Sequence, residues 1–127
     1  MRLEIVILAV DDLARAVEFY RRAFDWPALV SAPVYVELDA GSVRVGLYDR
    51  AGFSRNIGGV ASTAGTAGAS TRTELYIRVD DLHSAIDCLD AAGASCVSAA
   101  QIRPWGDEAA YFLDPDGNVI AVARTAA

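Results

Sequence analysis

Glu74-Leu75-Tyr76-Ile77-Arg78-Val79-Asp80-Asp81-Leu82 repeats the pattern of Ile5-Val6-Ile7-Leu8-Ala9-Val10-Asp11-Asp12-Leu13. In each copy an apolar, partly β-branched stretch reads as a strand, an aspartate offers its side-chain oxygen as a helix cap, and leucine opens an amphipathic helix. Self-similarity of this kind marks a duplicated supersecondary unit that cannot bury its own apolar face and needs its twin.

Leu13, Ala16, Val17, Tyr20 and Phe24 recur at helical spacing to make one buried stripe, with Arg15, Glu18, Arg21 and Arg22 elsewhere and Pro27 ending the element. A short strand is expected near Leu29. Residues 34–39 and 42–49 alternate around Ala40-Gly41 and read as a hairpin. The composition then turns to Gly, Ala, Ser and Thr without periodicity, which reads as a linker. Beyond it, Leu82, Ala85, Ile86 and Leu89 form a second helical stripe that Gly93 stops. Residues 95–102, 108–113 and 119–124 read as strands, with Pro115-Asp116-Gly117-Asn118 as the last turn. The expected organisation is one domain, 1–127, with module one at 1–50, linker at 51–72 and module two at 73–127.

At 127 residues the chain is long enough to bury a core without metal or disulfide. A net charge of -6 argues against nucleic acid, which needs clustered positive charge. Every basic side chain other than His83 is arginine, so Schiff-base chemistry and a P-loop lysine are excluded. Cys88 and Cys96 read as small buried hydrophobes in a reducing compartment. No apolar run approaches a membrane span and no basic stretch leads into a signal-like apolar region, so a soluble, cytoplasmic protein without membrane partners is expected.

The repeated module, Val-Asp-Asp-Leu at each helix start, Glu18-Phe19-Tyr20 within the first helix and Asp114-Pro115-Asp116-Gly117-Asn118 before the last strand together resemble the vicinal oxygen chelate superfamily. That family includes glyoxalase I, extradiol dioxygenases, methylmalonyl-CoA epimerase and bleomycin resistance proteins. The resemblance implies an α+β fold in which duplicated βαβββ modules form an incompletely closed β-barrel, with one helix packed on the outside of each module. It also implies a small-molecule ligand and a homodimer, with the modules paired within one chain or exchanged between two.

Metal-using members of that family take ligands from the first and last strands of each module. Those positions fall here on Ile5, Glu74, Gly46 (or Val45, one register step away) and Ala121. Three of the four have no donor atom, and one carboxylate is too little for a catalytic divalent site, which needs about three protein ligands. His83, the sole histidine, falls on the solvent side of the second helix. No metal and no other cofactor is expected.

Strand alternation sends Leu75, Ile77 and Val79 under the helix and Glu74, Tyr76 and Arg78 to the opposite face. The same parity brings Ile5, Ile7, Tyr35, Glu37, Arg44, Gly46, Tyr48 and Ala121 to an inward face. Trp105 lies in the loop before the strand that carries Tyr111 and reads either as a ring that closes the cavity mouth by stacking on a flat ligand or as a packed hinge aromatic, whereas Trp26 reads as core. The plainer alternative makes Glu74–Arg78 and Glu37–Arg44 surface ion pairs on a solvated sheet. The expected function is a metal-free binding protein similar to bleomycin and other antibiotic resistance proteins, taking an aromatic or cationic ligand. The other reading is a glyoxalase-like or dioxygenase-like lyase or isomerase using Glu74 as general base.

Overall fold

The computed structural model describes residues 2–57 and 73–126. Their elements run β1 (Ile5–Val10), α1 (Leu13–Phe24), β2 (Ala28–Ala32), β3 (Tyr35–Asp39), β4 (Arg44–Asp49), α2 (Arg50–Asn56), β5 (Glu74–Arg78), α3 (Leu82–Ala92), β6 (Ser95–Ile102), β7 (Asp107–Leu113) and β8 (Val119–Thr125). The chain divides into two compact units, one around each of two four-stranded sheets. Strand order is β1-β4-β3-β2 in the first and β5-β8-β7-β6 in the second. In each sheet the first strand pairs parallel with the last and the remaining pairs are antiparallel, so both sheets are mixed and the class is α+β. The sheets are not closed into a barrel, and each keeps two edge strands.

The duplicated aspartates act as the repeat requires. Asp12 accepts a hydrogen bond from the Arg15 amide and Asp81 from the Ser84 amide, both at 3.0 Å. Each satisfies a donor that the first helical turn leaves without a partner. At the other ends Asp25 (φ 54°) and Gly93 (φ 93°) turn left-handed, a conformation that glycine adopts at little cost. In the turn before β8, Asp114 is buried and accepts from the amides of Asp116 and Asn118 at 2.9 and 2.8 Å, while Gly117 supplies a φ of 84°.

In the first unit Leu8, Val10, Val36, Leu38, Val45 and Leu47 are buried on one parity of the sheet. Helix α1 buries Ala16, Phe19, Tyr20 and Ala23. Phe19 thus joins the stripe read from the sequence, and Leu13, Val17 and Phe24 are only half-buried. Trp26 is half-buried and stacks on Tyr20, with ring centroids 5.9 Å apart and planes 11° from parallel. In the second unit α3 packs on β7 and β8, and Leu82, Leu89, Phe112, Ile120 and Val122 form that core.

Two sequence expectations are corrected. The expected linker begins too early, because residues 50–56 form α2, capped by the Asp49 side chain on the Gly52 amide at 3.3 Å. The remaining linker residues, 58–72, lie outside the described residues. Cys88 and Cys96 are exposed free thiols, not buried hydrophobes. Cys88 sits off the buried stripe of α3, and Cys96 lies on β6, an edge strand of the second sheet whose side chains are nearly all exposed. No helix among the described residues is long and apolar enough to cross a membrane.

Candidate functional site

In the second sheet, register brings Tyr76, Ala121 and Tyr111 into one cross-strand row and Arg78, Ala123 and Ala109 into the next. Directly opposed residues share a face, so Tyr76, Arg78 and Tyr111 stand together on the side away from α3. At the end where β5 and β8 finish and β7 begins, Asp107 gathers these side chains. It receives Arg78 Nη1 on Oδ1 at 3.2 Å, Arg78 Nη2 on Oδ2 at 2.9 Å, and the Tyr76 hydroxyl on Oδ2 at 2.6 Å. Trp105 Nε1–H donates to the Tyr76 oxygen at 3.0 Å, and Arg78 Nη1 also donates to Thr125 Oγ1 at 3.2 Å. Trp105 and Tyr76 remain 58% and 39% exposed. A hydrogen-bond chain therefore links two exposed aromatic rings, each with its polar tip satisfied.

The electrostatics follow from these contacts. The Arg78 fork, and then the Tyr76 hydroxyl, hold the Asp107 carboxyl below its usual range. Donation to that carboxylate raises the Tyr76 phenol and the Arg78 guanidinium. Nearby, Arg103 lies 4.9 Å from the centre of the Tyr111 ring and donates to the carbonyls of Ala109 and Ala99 and to Ser98 Oγ. The β6–β7 register shifts between Ser98 and Gln101, and the guanidinium serves carbonyls beside this bulge. Arg78 also lines an open pocket of about 630 Å³ with Ile102, Glu108, Arg124 and Thr125.

The first sheet carries a similar tyrosine, carboxylate and arginine arrangement. Tyr35 donates to Glu37 Oε1 at 2.9 Å, and Arg44 Nη1 donates to Glu37 Oε2 at 2.8 Å. Glu37 is only 5% exposed, and these two donors satisfy its buried oxygens. Burial, and then donation to Glu37, push the Tyr35 phenol up to about 12. The ring lies over Gly46, where a Cβ would fall 2.6 Å from the phenol oxygen. Tyr48 meets Tyr35 edge-on at 5.2 Å and Phe53 of α2 at 6.0 Å.

The family model of the glyoxalase/bleomycin resistance protein/dioxygenase superfamily matches residues 2–122. The chain belongs to that superfamily. It is 27% identical to the YraH protein of Bacillus subtilis (strain 168) over 98% of each chain. Its fold is similar to that of a glyoxalase/bleomycin resistance protein/dioxygenase family enzyme from Burkholderia phytofirmans PsJN, at TM-score 0.87 and 20% identity, covering 98% of this chain and 99% of that one. It is also similar to a lactoylglutathione lyase from Agrobacterium tumefaciens, at TM-score 0.73 and 23% identity, covering 97% and 92%. Superfamily members bind small molecules, often form dimers and include enzymes.

The residues at the superfamily's metal positions do not fit a metal. Ile5, Gly46 and Ala121 have no donor atom, the Tyr35 ring occupies the space over Gly46, and Ala121 is completely buried. Val45, the alternative to Gly46, is buried on the opposite parity. Glu74 is exposed at the start of β5 and makes no hydrogen bond among the described residues. Among these residues no three His, Cys, Asp or Glu side chains converge as a metal set. His83 is on α3 with its side chain 90% exposed, 3.7 Å from Asp87.

Of the residues read from the sequence as a site, the second sheet brings together Tyr76, Arg78, Trp105 and Tyr111. The first brings together Tyr35, Glu37, Arg44, Gly46 and Tyr48, with Ile5 and Ile7 in the rows of Arg44 and Gly46. Glu37, Gly46 and Ala121 are buried and offer a ligand no surface. The alternative pairing of Glu74 with Arg78 is replaced by Asp107 with Arg78, and Glu37–Arg44 is an ion pair with a buried carboxylate. Sequence reasoning missed Asp107 and Arg103. The signal for Asp107 was parity: placed opposite Thr125, it shares the face of Ala109 and Tyr111. Arg103 had no such signal, because a bulge cannot be read from residue spacing.

Proposed function

We propose that this superfamily member is a metal-free small-molecule-binding protein, similar to the bleomycin and antibiotic resistance proteins, that holds a flat aromatic ligand against Trp105 and Tyr76. The observation that carries this reading is the chain Trp105–Tyr76–Asp107–Arg78, which fixes exposed rings in place. A stacking surface whose rotamers are already locked loses little entropy when a ligand arrives. The chemistry at Ile5, Gly46 and Ala121 supports metal independence, since a carbon skeleton cannot coordinate a cation. Arg78 and the adjoining pocket supply the polar contact that orients a ligand, in the pattern usual for small-molecule sites. Homodimerisation in the cytoplasm belongs to the same reading.

A lyase or isomerase working through Glu74 has less support, because its carboxylate is exposed and stands at the opposite end of β5 from Asp107. The test is equilibrium dialysis of a panel of flat aromatic compounds with chelator present throughout. We expect at least one to bind the wild type, to bind Glu74→Gln equally, and to lose roughly tenfold or more on Trp105→Ala, given the 1–3 kcal/mol that stacking on one aromatic is worth. Binding that Trp105→Ala leaves unchanged contradicts the proposal, as does turnover of a panel compound that Glu74→Gln abolishes.

A further inference from the structure

We infer that the Trp105 end of the second sheet selects a planar aromatic anion, an aromatic carboxylate or its like; this rests on the binding reading above and narrows its ligand. Both oxygens of Asp107 are taken by Arg78 and Tyr76, and Asp107 is only 8% exposed, so it is not offered to a cation. The Tyr76 hydroxyl spends its proton on Asp107 and accepts from Trp105, whose N–H is thereby used as well. The aromatic groups present ring faces rather than free hydrogen-bond donors.

Arg78 differs. It meets Asp107 end-on through Nη1 and Nη2 and spends its other Nη1 proton on Thr125. The Nε–H and the remaining Nη2–H, on the other edge of the guanidinium plane, have no partner among the described residues, and the side chain is 56% exposed. Two parallel N–H groups on one rigid edge match the two oxygens of a carboxylate. Because Asp107 anchors the opposite edge, the fork is held ready beside Trp105 and Tyr76.

Arg103 points the same way. Its Nε and Nη2 go to carbonyls and to Ser98, Nη1 has no partner among the described residues, and no carboxylate pairs with it. Glu74, four residues before Arg78 along β5, is about 13 Å away at strand spacing, beyond the ~8 Å screening length at physiological salt. Of the carboxylates in the pocket wall, Glu108 is paired with Arg124 at 2.8 Å, and Asp80 has no arginine partner among the described residues. Asp80 is where a cation would bind, so the experiment includes a cation.

Three probes of one shape separate the possibilities: 2-naphthoate, 2-naphthalenemethanol and 2-naphthylmethylammonium, each titrated calorimetrically into the full chain with chelator. We expect naphthoate to bind at least about tenfold more tightly than the other two, as a charge-assisted bidentate contact provides. In Arg78→Lys, which keeps the charge beside Asp107 but loses the fork, the preference should fall below about threefold with unchanged circular dichroism. Equal or tighter binding of the alcohol or the ammonium overturns this inference while leaving the aromatic-binding reading intact. So does a naphthoate preference that survives Arg78→Lys. If none of the three binds, both fall. The comparison among probes uses the wild-type protein and stands even if the variant is poorly folded.

Discussion

Gly46 shows how one residue can decide what a sheet face does. A methyl at this position would lie 2.6 Å from the Tyr35 oxygen and 2.8 Å from a ring carbon, so the ring would have to leave Glu37. Gly46→Ala should therefore cost ~1–3 kcal/mol in urea unfolding, the range for overpacked sites. In a Tyr35→Ala background the same change should cost nothing further, since the clash is gone; additivity of the two would show that the ring is not the obstacle. Titration gives a second residue-level expectation. The folded-state pKa of Asp107 is depressed, so its contribution is complete above the ordinary carboxylate range and is lost as pH falls below about 4. Tyr35 is raised to about 12, so its contribution is complete below its ordinary value of 10.0 and is lost between there and about 12. Stability measured against pH should lose part of its acid limb in Asp107→Asn and part of its alkaline limb in Tyr35→Phe; unaltered limbs would refute these assignments.

Among the elements, the helix starts are the most legible from sequence, because the Val-Asp-Asp-Leu phrase encodes strand end, cap and first turn within four residues. In both copies the second aspartate does the capping. Asp12→Ala and Asp81→Ala should each cost ~1 kcal/mol, the usual value of a lost N-cap. Asp80→Ala, which removes no cap, should cost far less in the same urea titration, and an equal cost would misplace the cap. Strand parity was also legible: it brings Tyr76 and Arg78 to one face and Leu75 and Ile77 to the other. Helix α2 was not, because seven residues containing glycine and serine carry too little periodicity, and its cap, Asp49, reads as the end of a strand. Nor was the exposure of Cys96, which depends on β6 being an edge strand, a property of topology rather than of local pattern. The Arg103 contacts depend on the β6–β7 bulge and were hidden for the same reason.

At the scale of the whole molecule, duplication made the architecture readable. Two copies of one strand-helix phrase, each followed by strands with hairpin and turn signals, leave few alternatives to two mixed four-stranded sheets. The candidate site was only half readable, because its organising residue, Asp107, binds partners 29 and 31 positions away. Such a contact follows from β5 and β7 flanking β8, and no local pattern reports it. Both units build a tyrosine, a buried carboxylate and an arginine into their sheets, yet in the first the tyrosine ring lies over Gly46, while in the second Tyr76 and Trp105 stay exposed. We propose that ligand binding here needs no metal, because Ile5, Gly46 and Ala121 offer no donor atom. Elemental analysis of the purified protein by plasma mass spectrometry, paired with thermal shifts in Ni, Zn, Mn and Fe, decides between metal-free and metal-dependent binding. Substoichiometric metal and no shift with any of the four are expected; a stoichiometric metal, or a melting temperature that rises saturably with one of them, overturns metal-free binding.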